Sequence, residues 1–309
     1  MVTLDHVPVL YRETLEGLAP RPGGRYIDCT VGSGGHAAGI LEASAPDGAV
    51  LALDADPEAV ERAQARLGSF GPRATVLHGN FRDLEALARR ACWELVDGIL
   101  LDLGVSSSQL RAPQRGFSFQ TDGPLDMRMN PEAGASAADL VNDLSEADLA
   151  RLIWEYGEEP QSKRIGAAIV RQRLTGRIET TAQLAELVAR AKGRRGRIHP
   201  ATKVFQALRI AVNGELESIA LVLPQTVRLL RPGGRLAVIT FHSLEDRIVK
   251  QYMREEAKEC RCPTSQLMCT CDRLPLLRLV NRHAIQPMES EVLANPRARS
   301  GLLRLAERL

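Results

Sequence analysis

The chain lacks any long hydrophobic run, and no apolar stretch approaches the roughly 20 residues that a membrane-spanning helix needs. Its first residues also lack a basic segment followed by an apolar one, the pattern of a secretory signal. No repeat or low-complexity tract interrupts the 309 residues, of which 44% are hydrophobic and 25% charged. These features predict a soluble cytoplasmic protein without a membrane partner, long enough for two structural units.

A strong excess of either charge is also lacking, since the formal net charge is only +2. Such a balance does not by itself indicate a nucleic-acid partner, so the distribution of charge matters more. Basic residues crowd together without an intervening acid at Arg190, Lys192, Arg194, Arg195 and Arg197. A run of this kind is often only a solvated surface. Glycine-interrupted arginines can also bend around phosphates, which makes RNA contact the second interpretation.

Cysteine is scarce and unevenly placed. Cys29 and Cys92 stand alone, and we expect both to be small buried side chains. The remaining four form two Cys-x-Cys pairs, Cys260 with Cys262 and Cys269 with Cys271. Four thiolates so spaced could close a tetrahedral structural zinc site on an exposed loop. Reduced cysteines, or a disulfide formed under oxidising conditions, are the alternatives.

Short apolar runs alternate with helical patterns in both end regions of the chain, which predicts a doubly wound α/β sheet. The predicted strands are 25–30, 49–54, 74–78, 96–103 and 235–241. The predicted helices are 36–43, 57–67, 82–91, 138–156, 162–174, 181–191, 201–212 and 215–229. Because no buried strand is visible from about 109 to 213, we predict a sheet domain over 1–110 and 214–309. An all-helical domain is inserted between its two parts, over 111–213.

The most informative stretch is the turn from Asp28 to His36, Asp-Cys-Thr-Val-Gly-Ser-Gly-Gly-His. A strand that breaks into a glycine-rich turn and then a helix presents unpaired backbone N–H groups to a nucleotide-like ligand. The second predicted strand ends on Asp54, whose carboxylate could accept both ribose hydroxyls of an adenosine. The alternative is that Asp54 only caps the helix that begins at Pro57. Together these features predict an adenosine-containing cofactor.

The turn also fits the loose G-x-G-x-x-[GA] pattern of nicotinamide and flavin nucleotide sites. Two acids favour S-adenosylmethionine instead. Asp28, at the tip of the first strand, suits a cationic amino and sulfonium group, whereas it would repel a pyrophosphate. Asp102 places a second acid at the carboxyl end of the fourth strand, where ligands of open α/β sheets bind.

Ordered sequence blocks, spread nearly from end to end, match one known family. They are 6–10, 34–36, 101–110, 115–119, 123–129, 199–203, 241–247 and 295–300. In these blocks the chain resembles the ribosomal RNA small subunit methyltransferase H family, the MraW-like enzymes that methylate N4 of a 16S rRNA cytosine. Long exact strings such as Leu-Asp-Leu-Gly-Val-Ser-Ser-Ser-Gln-Leu make the resemblance very specific.

The resemblance implies a Rossmann-like class I methyltransferase sheet and methyl transfer from S-adenosylmethionine to a cytosine in the decoding region of 16S rRNA. The family's cofactor contacts map onto Gly34, Gly35, His36, Asp54, Phe81, Asp102 and Gln109. Phe81 would be an aromatic platform for adenine, unless it is only a core residue. The modest basic surface favours rRNA within the small ribosomal subunit over free rRNA as the substrate. A homodimer is a reasonable expectation.

The exocyclic amine of cytosine is a poor nucleophile, so an enzyme must orient it and accept hydrogen bonds from its N–H groups. The Asn/Asp-Pro-Pro-aromatic loop of many amino-methylating enzymes is missing, and the corresponding place begins with Asp102. Asp102 is therefore the first candidate for positioning the cofactor and polarising the amine. His242, after the fifth strand, is the second acid–base candidate, with a role at the helix start as the alternative.

The inserted helical domain is expected to recognise RNA. Its candidate contacts are Lys203 and Arg209 on one helix and the cluster of Arg194, Arg195 and Arg197. Two other functions stay open: a nucleotide-dependent oxidoreductase, and a non-catalytic RNA-binding or assembly factor. The acids Asp28, Asp54 and Asp102 argue against the last, because a pure binder needs no ring of carboxylates around one crevice.

Overall fold

A computed structural model describes residues 8–193, 199–260, 262, 266 and 270–309. The chain forms two compact units. One consists of Met1–Gly104 with Leu216–Leu309, and the other of Val105–Glu215. The sequence places the corresponding boundaries after residues 110 and 213.

The first unit contains a seven-stranded sheet in the order β3-β2-β1-β4-β5-β7-β6. Its strands are β1 (Arg25–Asp28), β2 (Ala49–Asp54), β3 (Ala74–His78), β4 (Val96–Asp102), β5 (Leu230–Thr240), β6 (Leu277–Leu279) and β7 (Leu302–Arg308). The first five run parallel, and β7 is antiparallel to both β5 and β6. This is the doubly wound α/β sheet that the sequence predicts.

Two features of the sheet differ from the prediction. The segment 231–234, which lies between the helix predicted over 215–229 and the strand predicted over 235–241, belongs to β5, where the pairing with β4 shifts between Val96 and Gly98. Gly233 has a φ of +80°, so the irregularity is absorbed by a residue without a Cβ. The strands β6 and β7 were not predicted, because charged residues such as Arg304 and Glu307 obscure the apolar pattern of β7.

The helices of the chain are α1 (Tyr11–Leu18), α2 (Gly35–Ala43), α3 (Pro57–Leu67), α4 (Leu84–Arg90), α5 (Ser107–Arg111), α6 (Ala137–Asp143), α7 (Glu146–Gly157), α8 (Ser162–Arg173), α9 (Thr181–Lys192), α10 (Thr202–Asn213), α11 (Glu215–Leu229), α12 (Ser243–Glu256) and α13 (Glu289–Ala294). The single helix predicted over 138–156 is wrong, since α6 and α7 are separate. Leu144 is extended there, and the Ser145 hydroxyl caps α7 by accepting the Asp148 N–H at 3.1 Å.

Both faces of the sheet are covered, which is why the residues of β4 from Val96 to Leu101 are all buried. Ile99 and Leu101 pack into the core on one face, and Tyr26 and Leu100 into the core on the other. The helical unit has its own core, centred on residues such as Ile153 and Leu208. Within the described ranges, no helix is both long enough and apolar enough to cross a bilayer.

Candidate active site

The glycine turn follows β1 and leads into α2. Gly34 has a φ of +79° and donates its N–H to the Val31 carbonyl at 2.7 Å, which closes the turn. At Gly35 the chain passes so close to Pro8 that a Cβ would lie 2.5 Å from the proline ring. Only glycine fits both requirements, and Gly34 and Gly35 are both buried at the start of α2.

Asp54 connects this turn to the end of β2. Its carboxylate accepts the backbone N–H groups of Gly32 and Asp56, each at 2.9 Å. Desolvation nevertheless raises its pKa to about 6. The helix that begins at Pro57 is capped by Asp56, whose carboxylate accepts the Glu58 N–H at 3.0 Å. The alternative that Asp54 only caps this helix is therefore wrong.

Asp28 ends β1 with a buried carboxyl group. Its Oδ1 accepts the Thr30 N–H at 3.1 Å, while Oδ2 is buried without a hydrogen-bond partner among the described residues. Burial raises the pKa of Asp28 to about 7, and the negative charge of Asp54 adds to the effect. The site thus contains a carboxylate oxygen that is desolvated and unsatisfied.

Asp102 ends β4, and its backbone N–H donates to the Thr30 hydroxyl at 2.7 Å. Its Oδ1 is another buried oxygen for which the described part of the chain offers no partner. Burial raises the pKa of Asp102 well above its ordinary value, and the charges of Asp28 and Glu245 raise it further. Acids therefore crowd together at the carboxyl ends of β1, β2 and β4.

His36 lies in the first turn of α2, where its ring stacks on Tyr11 with the centroids 5.9 Å apart. Burial lowers the pKa of His36 to about 4, so the imidazole is neutral at pH 7. Its Nε2 is 3.7 Å from Asp102 Oδ2, beyond hydrogen-bond range. His36 therefore does not neutralise Asp102.

Carboxylate oxygens that are buried without a hydrogen-bond partner in the described ranges, beside a glycine turn, suit a ligand that is cationic at one end. A bound cation would favour the ionised acids and reverse the upward pKa shifts. The residues present thus fit S-adenosylmethionine better than a dinucleotide, whose pyrophosphate would add negative charge.

His242 precedes α12 and caps it. Its Nδ1 accepts the Glu245 N–H at 3.4 Å, and the Glu245 carboxylate accepts the N–H groups of Phe241 and His242 at 2.8 and 3.3 Å. His242 Nε2 also lies 3.0 Å from Glu245 Oε1. This reciprocal cap gives His242 a structural role, while its predicted acid–base role stays a prediction. Sequence reasoning missed Glu245, although its spacing from His242 is that of a capping box.

Phe81 and Gln109 were predicted from the family resemblance. Phe81 is half-buried after the carboxyl end of β3 and packs against the sheet core, a position compatible with either proposed role. Gln109 lies in the helical unit and is buried, although composition alone suggests a surface residue. Its side-chain oxygen accepts the Ser106 N–H at 2.9 Å within a capping box. Cofactor contacts by both residues stay predictions.

The predicted RNA contacts occupy different environments. Arg209 donates from Nε and a terminal nitrogen to the two carboxylate oxygens of Glu215, each at 2.8 Å, and its side chain is only 16% exposed. This geometry favours a structural role for Arg209. Lys203 is exposed, and its ammonium donates to the Glu158 carbonyl at 2.8 Å. The cluster residues Arg194, Arg195 and Arg197 lie outside the described residues.

A basic surface that sequence reasoning missed lies along α12. An open depression of about 570 Å³ extends from His242 past Arg247, Lys250 and Arg254. Asp246, the acid in its lining, is paired in a bidentate arrangement with Arg304 at 2.6 and 2.9 Å. The helical spacing of the three cations was the signal available in the sequence.

The cysteine predictions have mixed outcomes. Cys29 is buried, as predicted. Cys92 is exposed, so the prediction of burial is wrong: the residue occupies the turn after α4, with a φ of +59°. Cys260, Cys262 and Cys271 lie together, with their sulfur atoms within 4.8 Å of one another. The fourth predicted zinc ligand, Cys269, lies outside the described residues.

Comparisons with known proteins extend over the whole chain. The model of the MraW methylase family matches residues 3–309. The chain is 58% identical to the ribosomal RNA small subunit methyltransferase H of Thermomicrobium roseum, over 100% of this chain and 95% of the relative. It is 51% identical to the protein of the same name from Dehalococcoides mccartyi, over 100% of this chain and 88% of the relative. A putative rRNA-methylase structure from Clostridium thermocellum aligns with a TM-score of 0.47 at 11% identity, over 99% of this chain and 100% of that chain.

Proposed function

The chain belongs to the MraW methylase family, and from this premise we propose that it methylates N4 of a specific cytosine in the decoding region of 16S rRNA. Family membership makes it an S-adenosylmethionine-dependent methyltransferase and removes the oxidoreductase alternative. The base, its position and the small ribosomal subunit as substrate are parts of the proposal. The proposed compartment is the cytoplasm, where bacterial small subunits are assembled.

The observation that carries the proposal is a pair of buried carboxylate oxygens, on Asp28 and Asp102 beside the glycine turn, for which the described residues offer no hydrogen-bond partner. We assign the cationic end of the cofactor to Asp28 and Asp102, and the ribose hydroxyls to Asp54. The backbone of Gly34 and Gly35 and the neutral ring of His36 would line the same crevice. When bound, S-adenosylmethionine supplies an electrophilic methyl group.

Asp102 is our candidate for contact with the cytosine amine. A carboxylate there can accept hydrogen bonds from the N–H groups and hold the nitrogen in line for attack. Ionised beside the bound cation, the Asp102 carboxylate could also accept the proton that the amine loses. His242 would act through Nε2, since the helix cap engages its Nδ1.

An RNA substrate is supported by the basic surface of α12, which begins at His242. Phosphates of the rRNA would contact Arg247, Lys250 and Arg254, because cations along a groove bind backbone irrespective of sequence. The target cytosine must be unpaired or extruded to reach a crevice at the strand ends. The helical unit, through Lys203 and the 194–197 cluster, is proposed to add further RNA contacts.

The test is transfer of labelled methyl groups to small subunits from cells that lack this modification, followed by nucleoside mass analysis. The expected product is N4-methylcytidine at one position, with free 16S rRNA a poorer substrate. The D102A variant should give no product. Label on another base, or binding without any transfer, would contradict the proposal.

A further inference from the structure

The loop between α12 and β6 contains a cysteine cluster that methyl transfer does not explain. We propose that Cys260, Cys262 and Cys271 bind a structural zinc ion. Thiolates are soft ligands, so such a cluster selects zinc over magnesium or calcium. The proposal does not depend on the identity of the methylated base.

The distances between the sulfur atoms match metal coordination better than a disulfide. The Sγ atoms of Cys260 and Cys271 are 3.8 Å apart, far beyond the roughly 2.05 Å of an S–S bond. Zinc–sulfur bonds of about 2.3 Å in a tetrahedron place neighbouring sulfurs about 3.8 Å apart. All three sulfurs lie within 4.8 Å of one another, so small side-chain movements complete the geometry.

Backbone N–H groups point at the sulfurs. Cys262 donates its N–H to Cys260 Sγ at 3.3 Å, and Thr270 donates its N–H to Cys262 Sγ at 3.5 Å. These donors fix the orientation of the sulfur atoms, as the groups around a metal site do for its ligands.

The two ends of the loop are held together at the end of α12. Arg273 donates to the Glu255 carbonyl at 2.7 Å and to the Glu256 carboxylate at 3.0 Å, and the Leu276 N–H donates to the Glu256 carbonyl at 2.9 Å. Between these anchors the cysteine side chains are exposed or half-exposed, outside any apolar core. A metal ion bound by the cysteines would link them and hold such a segment in one conformation.

The experiment is metal analysis of the full-length protein purified without chelators. Wild type should carry close to one zinc per chain, and C260S and C271S should lose about 100-fold or more in zinc affinity, since even substitutions around the ligands cost 10–100-fold. The matched control is C92S, which removes an exposed cysteine of the same unit and should keep the metal.

Cobalt substitution provides a second readout. The metal-exchanged wild type should show sulfur-to-cobalt charge-transfer bands and the intense visible bands of tetrahedral cobalt, and both should vanish in C260S. Wild type that carries no zinc and gives no such bands would overturn the proposal. A disulfide between Cys260 and Cys271 in freshly isolated protein, seen by intact mass before and after reduction, would also overturn it.

Discussion

The Nε2 atom of His36 lies 3.7 Å from the Oδ2 atom of Asp102, yet burial drives both groups towards their neutral forms. It lowers the pKa of His36 to about 4 and raises the pKa of Asp102. The two residues are therefore not an ion pair. A bound cation, and not His36, would be the counter-ion of an ionised Asp102. This is the electrostatic basis of the proposed site.

Asp28 should reduce stability at neutral pH. Its pKa is raised from 3.8 to about 7, so between these values the native state holds a proton that the unfolded chain has released. Stability then falls as the pH rises from about 4 to 7, by up to about 4 kcal/mol. The D28N variant has no carboxyl group at this position, so it lacks this loss of stability with rising pH. At pH 8 it should unfold at higher temperature or denaturant than wild type, while binding the cofactor more weakly.

The exposed Glu94 gives a control for the Asp28 experiment. E94Q removes the same charge at the surface and should leave the pH profile of stability unchanged. A D28N profile parallel to that of wild type between pH 4 and 8 would show that Asp28 titrates normally.

Phe81 should matter for the cofactor and not only for the core. Loss of an aromatic platform in F81A is expected to weaken S-adenosylmethionine binding about 5–30-fold, from roughly 1–2 kcal/mol of stacking. F81W should retain most of the affinity. Phe70, half-buried before the amino end of β3, is the matched control, so F70A should change stability without changing cofactor affinity. Equal losses of affinity in F81A and F70A would assign Phe81 to packing alone.

His242 can be tested by restoring the helix cap without the imidazole. H242A should lose about 1 kcal/mol of stability, the usual cost of a lost cap. H242N should recover that stability, since asparagine is a strong N-cap residue. If His242 is only a cap, H242N regains methyl transfer as well. A stable H242N variant with strongly reduced turnover and an altered pH–rate profile would establish the acid–base role.

Neutralising the basic surface of α12 should weaken RNA binding specifically. In the triple variant R247Q/K250Q/R254Q, RNA affinity should depend less steeply on salt. The magnitude of the slope of log affinity against log salt concentration is expected to fall by up to about 2–3. Cofactor affinity should not change. The control triple R12Q/R89Q/R90Q removes the same charge from exposed positions on α1 and α4 of the same unit and should have little effect. Similar losses in both triples would indicate a general charge effect rather than a binding surface.

Much of the sheet could be predicted from the sequence. The strands β2 and β3 have the predicted bounds because each is a short apolar run between turn residues. The helix α3 also begins and ends as predicted, since Pro57 fits its first turn and Asp56 caps it. The strand-end acids Asp28, Asp54 and Asp102 were predicted for the same reason: their positions follow directly from where the strands end.

Other features depend on tertiary contacts that one sequence does not display. The strand β7 pairs with β5 through cross-strand contacts such as Arg235 with Glu307, a pattern visible only once the two strands are adjacent. Arg209 is a surface cation by sequence but pairs with Glu215 in the fold. Glu245 joins the acidic site only because α12 begins at the end of β5.

Calorimetry of S-adenosylmethionine binding near pH 7, in two buffers of different ionisation enthalpy, tests the central claim most directly. With the pKa of Asp28 near 7 and that of Asp102 raised, a bound cation should displace protons, so we predict binding with net proton release. D102A should bind more weakly and release fewer protons. Absence of binding to the wild type, or binding with proton uptake, would contradict the account.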